Sequence, residues 1–156
     1  MRIEPNTKVL LDWYELSVAA HVGSLRAVSA VHKGMRRPDG TTSEWSEDVE
    51  GAAAEMVVAK ALGIYWPAGV DTFHVPDLGR ALGVRHTKRP DGRLIVRTRD
   101  TLLDETLVLV TGQRGKYVIR GGLHVSDVDD KFRRNPNGWG EAWFVPQEAL
   151  EAVVTV

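Results

Sequence analysis

The sequence contains no cysteine, so disulfide bridges, thiolate metal sites and cysteine nucleophiles are excluded. It has no apolar run near the roughly 20 residues that cross a bilayer, and no apolar signal segment behind the N-terminus. We therefore expect a cytoplasmic protein with no membrane partner.

Several motifs that mark common enzyme classes are missing as well. Neither GxxxxGK[ST] nor GxGxxG occurs after a predicted strand, so a nucleotide-phosphate cradle has no support. The serine-hydrolase pattern GxSxG and the zinc-protease pattern HExxH are also absent. The five histidines show no metal-ligand spacing. Carboxylates, arginines and aromatic side chains remain as the candidates for chemistry.

The composition is typical of a globular protein. The 156 residues are 43% hydrophobic and 26% charged, which is enough apolar sequence to bury a core. We expect a single domain over residues 1–156.

The net charge of −1 conceals a local asymmetry. Residues 80–99 contain seven basic residues and one acid, a net charge of +6, whereas residues 41–55 contain five acids and no base. Such a basic segment favours a polyanionic partner, nucleic acid above all. The alternative is a solvated face whose countercharges come from neighbouring elements.

Apolar residues at steps of three and four predict a long helix from about Thr7 to His32. A second helix is predicted over Ser46–Leu62, with Ser46 as its N-cap and Gly63 as its stop. The predicted buried stripe of the first helix is Leu11, Tyr14, Val18, Val22, Leu25 and Val28.

After Gly63 the apolar spacing changes from the helical period to the strand period of two. Tight turns at 90–92 and 112–115 predict two hairpins. This order predicts an α+β fold, with two N-terminal helices packed on a mixed, mostly antiparallel sheet. The predicted strands are Thr72–Val75, Leu82–Thr87, Leu94–Thr98, Thr106–Thr111, Tyr117–Val125 and Ala142–Val145.

Three features in chain order point to chemistry. Glu55 lies on the small and apolar face of the second predicted helix, where an unpaired carboxylate is costly. Asp77 follows a proline at a strand mouth, and Gly83-Val84-Arg85 lies on the next strand. Glu55 paired to an arginine, or partly exposed, is the alternative to a functional role.

This order resembles the PD-(D/E)XK nuclease superfamily, whose core has a helical glutamate, an aspartate at a strand mouth and an acid-x-Lys triplet. The resemblance covers about residues 50–111 and implies a restriction-endonuclease-like core over about 46–125. It extends to small phage and bacterial proteins placed in that superfamily. The stretches EGAAAEMVVAKALGIYW, VPDLG, LIVR and AWFVPQ carry it.

The resemblance implies a metal-dependent DNA endonuclease in which Glu55, Asp77 and Arg85 are catalytic. Glu55, Asp77 and the Val84 carbonyl would hold Mg²⁺ or Mn²⁺, an ion that takes oxygen ligands. The ion would activate a water and neutralise charge on the phosphate during hydrolysis.

Gly83 departs from the superfamily pattern because it stands where the triplet has its acid. A substitute carboxylate could come from Asp71, Asp91 or Asp100. Two other functions stay open: a catalytically inactive nuclease-fold module that binds DNA, and a phage accessory protein that binds a host protein. A homodimer also stays open.

The basic segment and a later loop are the expected nucleic-acid contacts, with DNA the expected nucleic acid. In the loop FRRNPNGWG, cations lie near a tryptophan, which could stack on bases or fold back on the core. The expected contacts are Arg80, Lys88, Arg89, Arg93, Arg97, Arg99, Arg133, Arg134 and Trp139.

Overall fold

The computed structural model describes residues 1–37, 40–136, 138 and 140–155. In chain order the elements are β1 (Arg2–Ile3), β2 (Thr7–Leu10), α1 (Trp13–Lys33), α2 (Trp45–Leu62), β3 (Leu82–Thr87), β4 (Leu94–Arg97), β5 (Thr106–Gln113), β6 (Lys116–His124), β7 (Arg133–Arg134), β8 (Ala142–Val145) and β9 (Val153–Val154). Short 3₁₀ turns occupy Thr98–Leu102, Val125–Asp127, Asp130–Phe132 and Gln147–Ala149.

The first helix begins later than the apolar spacing predicted. Asp12 caps α1, because its side chain accepts a hydrogen bond from the Glu15 backbone N–H at 2.8 Å. The preceding residues Thr7–Leu10 form β2, which pairs antiparallel with β6. The prediction of a helix from Thr7 was wrong because the apolar steps continue through the cap and into the strand.

The stripe of α1 predicted to be buried mostly faces solvent. The buried residues of α1 are Ala19, Val22, Gly23 and Ala27, of which all but Val22 are small and outside the predicted stripe. A Cβ on Gly23 would lie 2.4 Å from the Cα of Val49, so glycine lets α2 approach closely. Of the predicted stripe, Leu11 and Val22 are buried, whereas Tyr14, Val18, Leu25 and Val28 are 63%, 53%, 47% and 54% exposed.

The second helix agrees closely with its prediction. It begins at Trp45, one residue before the predicted Ser46, and its N-cap is Glu44 rather than Ser46. Its predicted end is confirmed: Gly63 takes the left-handed conformation with φ 66°, and its N–H bonds back to the Lys60 carbonyl. Alanines and valines of α2 form the centre of the core, with Ala53, Val57 and Val58 fully buried.

The α+β class and the mixed, mostly antiparallel sheet are confirmed. The main sheet has the strand order β2-β6-β5-β3, in which only the β3–β5 pair is parallel among the described strands. The β5–β6 hairpin at 112–115 is confirmed too. A second sheet, β4-β8-β7, is antiparallel throughout.

Strand β5 separates two cores. Val108 and Val110 belong to the core beneath the two helices. Leu107 and Leu109 belong to a second core, together with Leu94 of β4 and other residues. The layers are therefore helices, main sheet and second sheet, which explains why β5 is apolar on both faces.

Two strand predictions were wrong. The turn at 90–92 joins β3 to β4, but the two strands belong to different sheets and form no hairpin. The reason is that Leu94 and Val96 of β4 are buried in the second core, on the other side of the main sheet. Residues 72–75 form a turn rather than a strand, with the Val75 N–H bonded to the Thr72 carbonyl.

Neither α1 nor α2, nor any shorter helix in the described ranges, combines the length and apolar character needed to cross a bilayer.

Candidate functional site

A groove of about 980 Å³ is lined by α1, residues 35–37 and 42–43, α2, the segment 69–77, β3 and the turn 97–105. Charged side chains of both signs make up about half of its lining residues. The arginines are Arg26, Arg36, Arg37, Arg85, Arg97 and Arg99. The carboxylates are Asp48, Glu55, Asp71, Asp77, Asp100 and Glu105.

Glu55 is held by one residue of α1 and one residue of the segment that follows α2. Both of its oxygens accept hydrogen bonds from the Arg26 guanidinium, at 2.7 and 2.8 Å, and Oε2 also accepts from the Trp66 indole at 2.9 Å. The residue is 8% exposed. This ion pair explains how α2 tolerates a carboxylate on its buried face. Both oxygens of that carboxylate are engaged in hydrogen bonds.

Asp77 is placed beside β3 by a short loop. The backbones of Leu78 and Leu82 exchange two hydrogen bonds, which turn the chain back toward the strand. The Asp77 carboxylate then accepts the Val84 backbone N–H at 2.7 Å. Burial raises the pKa of Asp77; the Val84 hydrogen bond opposes this, and the charge of Glu55 adds to it.

Arg85 lies between two carboxylates. Its guanidinium bonds Asp100 at 2.9 Å and lies 3.9 Å from Asp77. The same side chain donates to the Val84 carbonyl at 3.2 Å. Asp100 is 3% exposed and also accepts the Arg97 backbone N–H, so it anchors both Arg85 and the turn after β4.

Glu105 is a groove carboxylate that sequence reasoning missed. Its Oε2 lies 3.1 Å from where a Cβ on Gly83 would be, beside the position that the triplet acid would occupy. Burial raises the pKa of Glu105, and the negative charge of Asp77 adds to this. The sequence signal for Glu105 is its position directly before β5. Because β3 and β5 are parallel, with Leu82 opposite Thr106, the residue before β5 lies at the same end of the sheet as Gly83.

The three acids considered as substitutes for Gly83 lie elsewhere. Asp100 is bound to Arg85, as described above. Asp71 lines the groove but binds Lys33 at 2.7 Å and Ser29 at 2.6 Å. Asp91 is exposed and lies 3.5 Å from Arg89.

The predicted metal ligands do not fit a divalent cation as they are arranged. Glu55 is occupied by Arg26 and Trp66, the Val84 carbonyl accepts from Arg85, and one Asp77 oxygen accepts from Val84. Within the described residues, no three His, Cys, Asp or Glu side chains are grouped to hold a metal ion.

The predicted nucleic-acid contacts divide into two sets. Arg97 and Arg99 line the groove together with Arg85. The other cations lie outside its lining, and Lys88, Arg89 and Arg93 surround the turn at the far end of β3. Sequence reasoning missed the groove residues Arg26, Arg36 and Arg37, which are distant from the basic segment in the chain.

In the later loop, the two arginines predicted to contact nucleic acid bind residues of the same region. Arg133 bonds Asp130 at 2.6 Å and lies 5.2 Å from the Trp143 ring centroid. Arg134 donates to two backbone carbonyls nearby. The predicted contact Trp139 lies outside the described residues.

Comparison of the chain with protein-family profiles, with curated proteins and with solved structures gave no match.

Proposed function

We propose that the chain binds nucleic acid, with DNA as the main candidate, and that the groove contacts the phosphate backbone. The observation that carries this is a set of three exposed arginines, Arg36, Arg97 and Arg99, lining one groove. No carboxylate among the described residues pairs with any of them. Their positive charge lies at exposed positions of the groove.

The remaining groove arginines have a different role. Arg26, Arg37 and Arg85 are neutralised by Glu55, Glu47 and Asp100 respectively. They hold the walls together, while Arg36, Arg97 and Arg99 place positive charge at exposed positions of a lining that has equal numbers of arginines and carboxylates. A guanidinium can contact a phosphate through two parallel hydrogen bonds, so unpaired arginines are well suited to a phosphate backbone.

Exposed aromatic side chains support a ligand that has accessible bases. Trp45 and Phe73 both line the groove and are 59% and 67% exposed. Stacking of bases on aromatic rings beside arginines is the usual basis of single-strand binding without sequence preference. We therefore propose that the groove prefers unpaired or splayed bases over an intact duplex.

The resemblance to the PD-(D/E)XK superfamily belongs to this proposal as well. We propose a restriction-endonuclease-like core that acts as a binding module, because Glu55 is committed to Arg26 and not to a metal. The expected place of action is the cytoplasm, where bacterial and phage DNA lies.

Metal-dependent DNA cleavage is the second candidate function, favoured by one observation. Asp77 accepts the Val84 N–H and Glu105 lies beside Gly83, so both carboxylates adjoin the triplet. Mg²⁺ or Mn²⁺ bound near these two carboxylates would supply an activated water and charge neutralisation. Such a site would need Arg26 or Arg85 to release a carboxylate.

Binding is tested by fluorescence anisotropy with labelled single-stranded and duplex DNA over a range of salt concentrations. Arg97→Gln/Arg99→Gln should weaken binding roughly 10- to 50-fold at about 0.1 M salt, and flatten the salt dependence by about one to two units. The matched control, Arg80→Gln/Lys88→Gln, removes the same charge outside the groove lining and should change binding far less. Equal losses in both variants would show that the groove is not the site.

The aromatic contribution has its own test. Phe73→Ala should weaken single-stranded DNA binding by about 1–3 kcal/mol and leave duplex binding nearly unchanged. Tyr65→Ala, which removes an aromatic ring that is 84% exposed outside the groove lining, is the control. A loss of duplex affinity equal to that for single strands would contradict base stacking.

Cleavage is tested with supercoiled plasmid, branched DNA and RNA, each with Mg²⁺, Mn²⁺ or a chelator. A nuclease would cut in a metal-dependent way and lose activity in both Asp77→Asn and Glu105→Gln. Binding without cutting in any metal condition would favour the binding module.

A further inference from the structure

The solvent face of α1 is mostly apolar and carries two histidines. Its side chains recur at alternating steps of four and three residues, which is the spacing of a coiled-coil seam. Four apolar members are 47–63% exposed, and the two histidines between and beyond them are exposed as well. The seam residues are Tyr14, Val18, His21, Leu25, Val28 and His32.

This face also carries no Asp, Glu, Lys or Arg. All three such residues of α1 point to other parts of the chain: Glu15 pairs with Lys60, Arg26 with Glu55, and Lys33 with Asp71. A helix face that stays in water normally carries charged side chains. An uncharged face that runs along a helix of 21 residues, about 31 Å long, is typical of a helix that packs against another surface.

We infer that α1 pairs with α1 of a second copy of this chain, in an antiparallel arrangement about a two-fold axis. Antiparallel pairing puts Val18 opposite Val28 of the second copy and His21 opposite its Leu25. It also puts Tyr14 opposite His32. Each histidine then faces an apolar or aromatic partner rather than another histidine, and the two helix dipoles oppose each other favourably.

The exposed area is sufficient for such a dimer. The exposed parts of Trp13, Tyr14 and the three aliphatic seam residues sum to roughly 500–600 Å² per chain, given the sizes of these side chains. The exposed serines beside the seam, Ser17 and Ser24, and the two histidines add to this area. A total of more than about 1,000 Å² from both chains reaches the lower end of stable interfaces.

A second copy is favoured over a different protein because the seam is self-complementary. The steps of four and three residues read the same from either end of the seam. One two-fold axis therefore brings every seam residue opposite another seam residue. Because the face carries no Asp, Glu, Lys or Arg, it does not require a partner with a complementary charge. The groove residues of α1, which are Arg26, Ala27, Ala30 and Val31, lie about 100–160° around the helix from Tyr14, so the seam itself contains no groove residue.

Sedimentation equilibrium over a concentration range tests the interface without any ligand. The wild-type chain should be a dimer at micromolar concentrations, and Val18→Glu should weaken dimerisation at least about 30-fold, because it places a carboxylate against the apolar Val28 of the other copy at two points of the seam. Tyr65→Glu adds the same charge at an exposed aromatic position off α1 and should remain dimeric. Circular dichroism confirms that both variants fold. A wild-type monomer, or a Val18→Glu variant that stays a dimer, would overturn the inference.

Cysteine cross-linking tests the orientation, and the absence of native cysteine gives a clean background. Val18→Cys mixed with Val28→Cys should form a disulfide-linked heterodimer on mild oxidation. Val18→Cys alone should not cross-link, because two copies of residue 18 would lie roughly 15 Å apart along the antiparallel helices. Efficient cross-linking of Val18→Cys alone would overturn the antiparallel arrangement.

Discussion

Arg26 of α1 and Glu55 of α2 form a two-pronged ion pair across the helix interface, with N–O distances of 2.7 and 2.8 Å. The same arginine reaches the Gly69 carbonyl at 2.8 Å. It thereby joins the two helices to the segment that forms one wall of the groove. The side chains are only 22% and 11% exposed, so water does little to screen the pair.

Removing one partner of this pair should destabilise the fold. Arg26→Met leaves Glu55 buried without its cation, and we expect a loss of about 3 kcal/mol in the free energy of unfolding by urea denaturation. Arg26→Met/Glu55→Leu should recover much of that loss, because it removes both charges. Arg89→Met breaks an exposed ion pair and should cause no measurable change. A loss in Arg26→Met no larger than in Arg89→Met would show that the pair is not structural.

Asp77→Asn should stabilise the protein at neutral pH and not at acid pH. Burial raises the pKa of Asp77 in the folded state above its ordinary value of 3.8, so folding favours the protonated acid. The resulting cost is complete above the raised pKa and disappears as the pH falls to 3.8. Asparagine keeps the acceptor for Val84 without that cost.

We expect the gain to be about 1 kcal/mol or less at pH 7 and to shrink steadily toward pH 4, in urea denaturation at each pH. Asp91→Asn, in an exposed turn outside the groove lining, is the control for losing one carboxylate. The asparagine should also lower the pKa of Glu105, which the Asp77 charge raises, and carboxyl NMR titration can measure this. A gain that grows toward acid pH would contradict the assignment.

Gly83→Ala should destabilise the protein although the backbone there is ordinary extended strand. The new Cβ would lie 2.8 Å from Cδ2 of Leu107, a fully buried side chain, and 3.1 Å from the Glu105 carboxylate. We expect a loss of about 1–3 kcal/mol by urea denaturation.

Gly51→Ala is a control of opposite sign. Gly51 lies in α2 with nothing within 4 Å of the added Cβ, so alanine should stabilise the helix by about 0.5–1 kcal/mol. Equal effects at the two positions would mean that the space beside Gly83 is not filled. Because Glu105 already lies there, Gly83→Glu should be more harmful than Gly83→Ala.

Tyr117→Phe should lower stability by about 1–2 kcal/mol. The hydroxyl of this buried tyrosine donates to Glu50 at 2.6 Å, and it ties β6 to α2. Burial and the Glu50 carboxylate raise the pKa of Tyr117, so the hydroxyl keeps its proton across neutral pH. Tyr65→Phe, at an exposed position, should leave the denaturation midpoint unchanged, and an equal loss there would contradict the role of the hydrogen bond.

Local signals in the sequence determined several elements of this protein. The end of α2 follows from Gly63, which takes the left-handed conformation that few other residues accept. Strands β3 and β8 have their predicted bounds, Leu82–Thr87 and Ala142–Val145, because alternating apolar residues are bounded by turn residues. These features depend on the conformational preferences of neighbours in the chain.

Tertiary structure alone decided which faces and which charges meet. Two stripes of α1 have the helical spacing, and the small residues around Gly23 are buried because they let α2 approach, so the larger stripe stays outside. Glu105 lies beside Gly83 only because β3 and β5 pair in parallel, and Arg26 meets Glu55 only because α1 crosses α2. Each contact joins residues more than 20 positions apart, whose separation carries no local conformational signal, so packing and strand register had to bring them together.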